Sequence, residues 1–409
     1  MKPLLIFRFL LLAFFSLSSH VYADDIVIGM SAAFKGPSKG LGIELFRGSV
    51  AYFAHINEGG GINGKRIVLK AYNDGYNPIP AIKNTIDLVE RDKAMLLFGY
   101  VGTPTVTRIL PLLKKYSNMH TYLFFPFTGA QPQREFPYNE YVYNLRTSYR
   151  RETEGLVDNF VQIGKKKIAI FYQADAYGRS GWDGVKRALV KYNLKIVGET
   201  TYRRGTKYSD SLKQQVDILK KAKPDAIISV GAYEACAAFI RDARDAGMNV
   251  PIANVSFVGS ENLLNLLINT SNQTGNDYTH NLVNSQVVPS YEDESLPAVK
   301  QFKQVMDKYN PVLPVGICDE TYKPVKYSFV SFEGFLNAKM LVEILSRMDD
   351  NIDKTRLKDV IEDIKDFDIG IDTPISFSQQ KHDGLDKVYY TTVKQNRFVP
   401  LKSWEGKFK

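Results

Sequence analysis

Short apolar runs alternate with amphipathic segments along most of the chain. In the first helical segment, apolar residues recur at roughly helical spacing, as at Leu45, Val50 and Phe53. The predicted order here is a strand IVIGM from Ile26, a helix over 42–57, a strand RIVLKAY from Arg66, a helix from Asn77 to about Arg91, and a strand MLLFGY from Met95. Short buried strands that alternate with helices predict parallel βαβ units in a sheet covered on both faces.

The same alternation begins again after the strand TYLFF from Thr121 and a short strand over 141–145. The second series comprises a helix over 151–163, the strand KKIAIFY, a helix to about Tyr192, the strand KIVGETTY, a helix to about Ala222, the strand DAIISVGAY and a helix to Ala246. It is followed by the strand NSQVVPS, helices over 296–309, 329–345 and 355–364, and a hairpin turned at Gln395-Asn396. We therefore predict an α/β fold with two doubly wound parallel-sheet lobes in tandem.

The stretch from Leu97 to Gln131 suggests a binding site. Two neighbouring strands end there in hydroxyl-rich turns, which would face one crevice at the carboxyl edge of the sheet. The turns offer the hydroxyls of Thr103, Thr105 and Thr128, and Gly102 and Gly129 would allow close backbone approach. An alternative interpretation is that Thr103 is only the N-cap of a helix with Pro104 at its first position.

Length and the N-terminus indicate a secreted protein of two domains. A chain of 409 residues is longer than one ordinary core requires. Lys2 and Arg8 flank the start of an apolar run over 9–17, and Val21-Tyr22-Ala23 fits the small-residue cleavage rule, which predicts a signal peptide over 1–23. The run is too short for a transmembrane anchor. The cleavage site has no cysteine to which a lipid could be attached, so we expect no lipid anchor.

Charge and cysteine content narrow the function classes only slightly. The formal charge of +9 falls to +7 when the leader is removed, and the excess is spread along the chain rather than gathered in a tract. With no nucleic-acid motif either, we expect a solvated surface and no nucleic-acid partner. Cys236 and Cys318 could pair in an oxidising compartment or remain free buried thiols, and the sequence leaves both alternatives open.

The sequence gives no support for an enzymatic function. The histidines outside the leader are scattered and have no metal-ligand spacing: His55, His120, His280 and His382, with His20 in the leader. There is no Gly-x-Ser-x-Gly motif and no phosphate-binding P-loop, and the glycines over 35–42 lack dinucleotide spacing. We therefore expect no catalytic residues, no metal and no cofactor.

Four motifs in order resemble the type I periplasmic binding proteins, in particular the branched-chain amino-acid branch that serves ATP-driven importers. They are Phe34-Lys-Gly-Pro, Glu58-Gly-Gly-Gly-Ile-Asn-Gly-Lys, Asp175-Ala-Tyr-Gly-Arg and Ser331-Phe-Glu-Gly-Phe. The resemblance implies two lobes that close over a small ligand, with three crossings near 145–149, 285–290 and 369–377. Lobe 1 would comprise 24–146 and 290–370, and lobe 2 would comprise 147–287 and 375–409.

The same resemblance implies ligand-binding residues on both lobes. It places Thr103 and Thr105 on a ligand carboxylate or an equivalent acceptor group. Beside them it places Phe127, Thr128 and Gly129, and from the second lobe it adds Tyr177, Tyr233 and Glu261. A carboxylate at Glu261 would suit an ammonium group. The two tyrosines could instead be packing residues, and Glu261 could merely carry charge in the first turn of a helix.

Two departures from the family pattern leave the ligand open. Pro104 removes a backbone N–H, and Phe127 is bulky where a small residue is usual. An amino acid and a more apolar molecule therefore both remain candidates. The resemblance implies a monomeric periplasmic protein that delivers its ligand to the membrane subunits of an ABC transporter. The alternative is a sensor or scaffold that regulates a membrane receptor.

Overall fold

A computed structural model describes residues 25–311, 316–319 and 321–408. The signal peptide predicted over 1–23 lies outside these residues. Among the helices of the described ranges, none combines the length and the apolar character that crossing a membrane requires.

The first sheet has five parallel strands in the order β2-β1-β3-β4-β5. They are β1 (Ile26–Ala32), β2 (Ile67–Asn73), β3 (Leu96–Phe98), β4 (Leu123–Phe124) and β5 (Val142–Tyr143). The central strands are buried on both faces, because helices cover both sides of the sheet. This sheet and the helices packed on it are called lobe 1.

The second sheet has seven strands in the order β12-β11-β10-β9-β8-β6-β7. They are β6 (Ile168–Gln173), β7 (Glu199–Tyr202), β8 (Ala226–Val230), β9 (Ile252–Asn254), β10 (Leu282–Gln286), β11 (Tyr389–Lys394) and β12 (Arg397–Pro400). Strands β6 to β10 pair in parallel, and the hairpin of β11 and β12 adds antiparallel strands at one edge. Gln395 and Asn396 turn this hairpin with φ of 50° and 59°, as a two-residue hairpin turn requires. This sheet and its helices are called lobe 2.

Helices connect the strands and confirm the predicted α/β class. They are α1 (Lys39–Glu58), α2 (Pro78–Ile86), α3 (Thr103–Lys115), α4 (Tyr149–Gln162), α5 (Ala176–Val190), α6 (Lys213–Lys221), α7 (Tyr233–Asp245), α8 (Ser260–Thr274), α9 (Pro297–Tyr309), α10 (Phe329–Ser346) and α11 (Leu357–Glu362). Helices α9 and α10 come late in the chain yet pack on α1. The chain therefore returns to lobe 1 after building most of lobe 2.

Glycines allow α1 and α10 to approach closely. A Cβ at Gly48 would meet the backbone carbonyl of Ser331, and a Cβ at Gly334 would meet the carbonyl of Leu45. The two helices thus pack backbone against backbone at this crossing. Substitution at either glycine requires the helices to separate.

The chain passes between the lobes three times, and the third crossing differs from the prediction. Residues 369–377 contact lobe 1, since Phe377 packs against Phe125 and Tyr143. The crossing lies farther along, where the backbone N–H groups of Gly384 and Leu385 donate to the carbonyls of Asn144 and Leu145. The residues that connect β5 to α4 and those that precede β11 therefore run side by side. The other lobe boundaries remain a prediction.

The two cysteines do not form a disulfide. Both Cys236 and Cys318 are buried free thiols. Cys236 contacts the hydroxyl of Ser229 at 3.2 Å within lobe 2. The disulfide alternative is therefore not realised.

Candidate ligand-binding site

The carboxyl ends of the two sheets face each other across a cleft. Turns after β3 and β4 contribute from lobe 1, and turns after β6, β8 and β9 contribute from lobe 2. Because parallel strands present their carboxyl ends at one edge of a sheet, polar residues of separate turns converge there.

Thr103 and Thr128 form a hydroxyl pair on the lobe 1 side. Gly102, with φ of 102°, is the N-cap residue of α3, so Thr103 is the first helical residue and its hydroxyl makes no cap hydrogen bond. The cap interpretation of Thr103 is therefore wrong. The Thr103 Oγ1 instead lies 2.7 Å from the Thr128 Oγ1. Both side chains are buried.

Thr105 serves the backbone instead of the cleft. Its hydroxyl donates to the carbonyls of Val101 and Gly102, at 2.7 Å each. A hydroxyl has only one proton to donate. The role expected for Thr105 as a ligand donor would therefore require these local bonds to break.

Tyr149, at the start of α4, adds a third hydroxyl beside the threonine pair. Burial raises the pKa of Tyr149, and Arg146 and the hydroxyls of Thr128 and Thr103 act in the opposite direction. Among the described residues, the Tyr149 hydroxyl has no well-formed hydrogen bond. Gly129 permits this placement, because a Cβ there would lie 2.7 Å from the Tyr149 ring and backbone nitrogen. Tyr149 was not predicted from the sequence, since it follows a crossing instead of a strand.

Aromatic rings fill the cleft next to the hydroxyls. Phe257 of lobe 2 lies between Tyr177 and Phe127, with ring centroids 4.7 Å and 5.3 Å away. The Tyr177 ring also lies 5.2 Å from that of Tyr149. These four rings, called the aromatic wall, are buried. The sequence analysis missed Phe257, because it predicted no strand at β9 and therefore no strand-end turn after it.

Tyr177 and Tyr233 each lie in the first turn of a helix of lobe 2 at the cleft. Tyr177 begins α5, where the Asp175 carboxylate accepts its N–H at 3.0 Å and its hydroxyl donates to the Gly231 carbonyl at 3.4 Å. Tyr233 begins α7, and its hydroxyl accepts the N–H of Gly40 in lobe 1 at 3.2 Å. Tyr233 therefore joins the two lobes directly.

Glu261 lies in the first turn of α8, and the groups that contact its carboxylate are not those of the threonine pair. Its carboxylate accepts the N–H of Phe329, the first residue of α10, at 3.3 Å, and the Tyr291 hydroxyl lies beside it. Burial raises the pKa of Glu261 to about 7. Its other carboxylate oxygen has no partner among the described residues. The structure therefore does not bring Glu261 into contact with the threonine pair.

Arg146 supports the aromatic wall from behind. Its guanidinium lies 4.5 Å from the centre of the Phe127 ring and donates to the Ser256 hydroxyl. It lies 3.6 Å from the Glu333 carboxylate and 3.8 Å from that of Glu152. The three charges are buried at the first crossing. This cluster, which sequence reasoning missed, ties α10 of lobe 1 to the turn after β9 in lobe 2.

Comparison with known proteins identifies this arrangement. The sequence profile described as "Periplasmic binding protein" matches residues 25–397. The chain belongs to the periplasmic binding protein family. Its two lobes have the architecture of the type I proteins of this family. The relatives that it matches are named as binding proteins, in agreement with the expectation of a non-enzyme.

Relatives of this periplasmic binding protein carry amino-acid-binding names. An "Amino acid binding protein" of Pseudomonas aeruginosa is 26% identical over 57% of this chain and 60% of its own length. The chain thus aligns with less than two thirds of that relative. A "Leu/Ile/Val-binding protein" of Citrobacter freundii is 26% identical over 61% of this chain and 69% of its own length.

Solved structures extend the likeness to nearly the whole periplasmic binding protein. A possible leucine/isoleucine/valine-binding protein from Rhodopirellula baltica is 30% identical, with a TM-score of 0.82 over 95% of this chain and 99% of that one. A branched-chain amino-acid ABC transporter protein from Thermus thermophilus with bound valine has a TM-score of 0.77 over 93% of this chain and 96% of that one. At 18% identity it shows the fold alone.

Proposed function

We propose that this protein captures a small carboxylate with an apolar body between its lobes in the periplasm and delivers it to an ABC importer. The observation that supports this proposal is the Thr103–Thr128 hydroxyl pair, which lies next to the aromatic wall. The predicted signal peptide would bring the chain to the periplasm. The amino-acid-binding names of its relatives are consistent with a carboxylate ligand.

The hydroxyl pair suits an anionic acceptor. One threonine of the pair donates to the other, so one proton remains for a ligand, and the Tyr149 hydroxyl offers another. Thr103 is the first residue of α3, so the hydroxyl pair lies beside a helix N-terminus, where the helix dipole favours negative charge. A ligand carboxylate would therefore be bound by neutral donors at the positive end of a helix.

The wall next to the hydroxyl pair suits an apolar body. Phe127, Tyr177 and Phe257 present ring faces and edges instead of charges. Two carboxylates beside the wall are already engaged. Asp175 accepts from Gln173 at 2.7 Å and from Arg204 at 3.3 Å, and Glu152 accepts the N–H and the hydroxyl of Ser256. We therefore expect an ammonium group to add little affinity. Glu261 stays a candidate for the ammonium only if the cleft rearranges around it.

Ligand entry requires the lobes to separate, because the site residues are buried. Cross-lobe hydrogen bonds join Gly40 to Tyr233 and Tyr322 to Asn262, the second at 3.1 Å. A ligand that contacts both lobes would favour this closed arrangement through its higher affinity for it. Delivery would follow reopening at the importer. ATP-dependent uptake into membrane vesicles containing a candidate ABC importer from the same organism, with and without this protein, would test that step.

Calorimetric titration with matched ligand pairs tests the ligand class. The pairs are L-leucine with 4-methylpentanoate, and L-phenylalanine with 3-phenylpropionate, which differ only by the amino group. We expect the deaminated member of a pair to bind within about tenfold of the amino acid, and Glu261→Gln to leave both affinities nearly unchanged. A requirement for the amino group that disappears in Glu261→Gln would instead assign the ammonium to Glu261. Failure of both pairs to bind would contradict the proposal.

A further inference from the structure

A space opens between the lobes at the outer end of the cleft. This mouth cavity has a volume of about 390 Å³, which is within the range of small-molecule sites. Its lining comes from lobe 1 at Pro37, Ser38 and 75–77 and from lobe 2 at Ala174, Asp175 and 203–205. The threonine pair and the aromatic wall do not line it.

Tyr76 separates the mouth cavity from the aromatic wall. Its ring lines the cavity and lies 5.8 Å from the Phe257 ring, while the Arg204 guanidinium lies 5.9 Å from its centre. Its hydroxyl accepts from the Gln173 side chain of lobe 2 at 3.3 Å. Tyr76 is almost fully buried. The ring therefore closes the inner cleft against the mouth.

The backbone holds Tyr76 in a conformation that favours glycine. Its φ is 60°, following Gly75 at 58°. The Asp74 carboxylate accepts the N–H of Tyr76 at 2.8 Å and the hydroxyl of Ser31 at 2.8 Å. Gly102 accommodates the ring edge, because a Cβ there would overlap the Tyr76 ring. A bulky residue kept in left-handed conformation is placed by its surroundings.

The mouth cavity carries a net positive charge. Asp175 pairs with Arg204, so these two charges offset each other. Arg203 also lines the cavity, is exposed, and has no ion pair among the described residues. An anionic group in this space would therefore meet an available guanidinium.

We propose that Tyr76 sets the maximum length of the bound ligand and that the mouth cavity is an outer subsite for an anionic end, which Tyr76 separates from the inner cleft. The inference rests on the proposed function, in which the inner carboxylate meets the threonine pair. A ligand that spans both sites would have carboxylates at both ends and an apolar chain between them. In the native protein the Tyr76 ring blocks that chain.

The test compares straight-chain α,ω-dicarboxylates with monocarboxylates of the same length, from about five to about ten carbons, by calorimetric titration. Tyr76→Gly removes the ring and suits the positive φ, and Tyr76→Asn provides a second opened variant whose side chain tolerates this conformation. Tyr76→Phe is the control, because it keeps the ring and loses only the hydroxyl. Thermal unfolding and circular dichroism establish that each variant folds.

We expect both opened variants to bind longer dicarboxylates than the native protein does, with a gain of about tenfold or more, and Tyr76→Phe to keep the native length limit. Adding Arg203→Ala to Tyr76→Gly should abolish the gain for dicarboxylates. A gain that survives Arg203→Ala would overturn the outer subsite. An unchanged length limit in both opened variants would overturn the role of Tyr76.

Thr128→Val distinguishes failure of this inference from failure of the proposed function. If the valine variant weakens binding of short monocarboxylates while the Tyr76 variants keep the native length limit, only the inference on Tyr76 falls. If no member of either series binds the native protein or the opened variants, both proposals are overturned.

Discussion

The hydroxyl of Thr103 lies 2.7 Å from that of Thr128, although 25 positions separate the two residues in the chain. They meet because β3 and β4 are parallel neighbours and each threonine follows the carboxyl end of its strand. Thr105, only two positions from Thr103, donates to the backbone instead. The two kinds of threonine therefore have separable roles.

Replacing each threonine by valine separates these roles. We expect Thr128→Val to weaken carboxylate binding by about tenfold to a hundredfold, since a hydrogen bond to the ligand is lost. Thr105→Val should lower the free energy of unfolding by about 1–3 kcal/mol, because the buried Val101 carbonyl loses the hydroxyl donor. The Gly102 carbonyl loses the same donor but still accepts the N–H of Val106. Calorimetry with 4-methylpentanoate and urea denaturation measure the two effects. Equal losses of affinity in both variants would contradict the assignment.

Asp74 should make the stability of the protein depend on pH. Burial raises its pKa from 3.8 to about 7, against the opposing effects of the Ser31 hydroxyl and the Tyr76 N–H. The folded protein thus keeps a proton that the unfolded chain releases, so this contribution to stability is greatest below about pH 4 and falls as the pH rises to about 7. The change is on the order of 4 kcal/mol.

Asp74→Asn removes the titrating group but keeps a side chain of the same shape. We expect its free energy of unfolding, measured in urea from about pH 4 to about pH 7, to lack the decline that Asp74 contributes in the parent protein. Asp217→Asn, at an exposed position in α6, is the control and should follow the parent. Parallel pH profiles for the parent and Asp74→Asn would show that Asp74 is ionised in the folded protein.

The crossing of α1 and α10 should not tolerate a methyl group. Gly48→Ala and Gly334→Ala each place a Cβ against backbone of the facing helix. We expect each to lower the free energy of unfolding by about 1–3 kcal/mol, as overpacking does. Gly59→Ala is the control, because the nearest atom to its Cβ is 3.4 Å away and its φ is −75°. Urea denaturation of the three variants measures these changes in the free energy of unfolding.

Local sequence pattern predicted most of the order of the elements but fewer of their lengths. The alternation of apolar runs and amphipathic segments predicted the strands and helices of lobe 1 and most of those of lobe 2, because burial of a strand or of one helix face leaves a local periodic signal. It missed β9 and α8, which lie between the predicted helix to Ala246 and the strand NSQVVPS. An observed strand is shorter than the predicted one where only part of the apolar run pairs with a neighbouring strand. The predicted strand TYLFF is paired only over Leu123–Phe124, and KIVGETTY only over Glu199–Tyr202.

The candidate site was accessible to sequence reasoning only where strand ends mark it. Thr103, Thr128 and Tyr177 follow strands, so the topology of a parallel sheet brings them to the cleft. Arg146 and Tyr149 follow a crossing, and no local pattern distinguishes a crossing from another loop. Glu261 remains a predicted ligand residue whose recorded contact is the N–H of Phe329.

The periodicity of apolar residues along the chain predicted two parallel-sheet lobes, and the turns at the strand ends predicted hydroxyl groups at a cleft in lobe 1. How the lobes pack against each other determined the other contacts in the cleft. It placed Phe257 against Phe127, Gln173 against the hydroxyl of Tyr76, and Tyr233 against Gly40. These contacts join residues from different sheets, and their geometry depends on the path of three distant crossings. No short-range pattern in the sequence encodes that path, so only the packed molecule shows which side chains share the cleft.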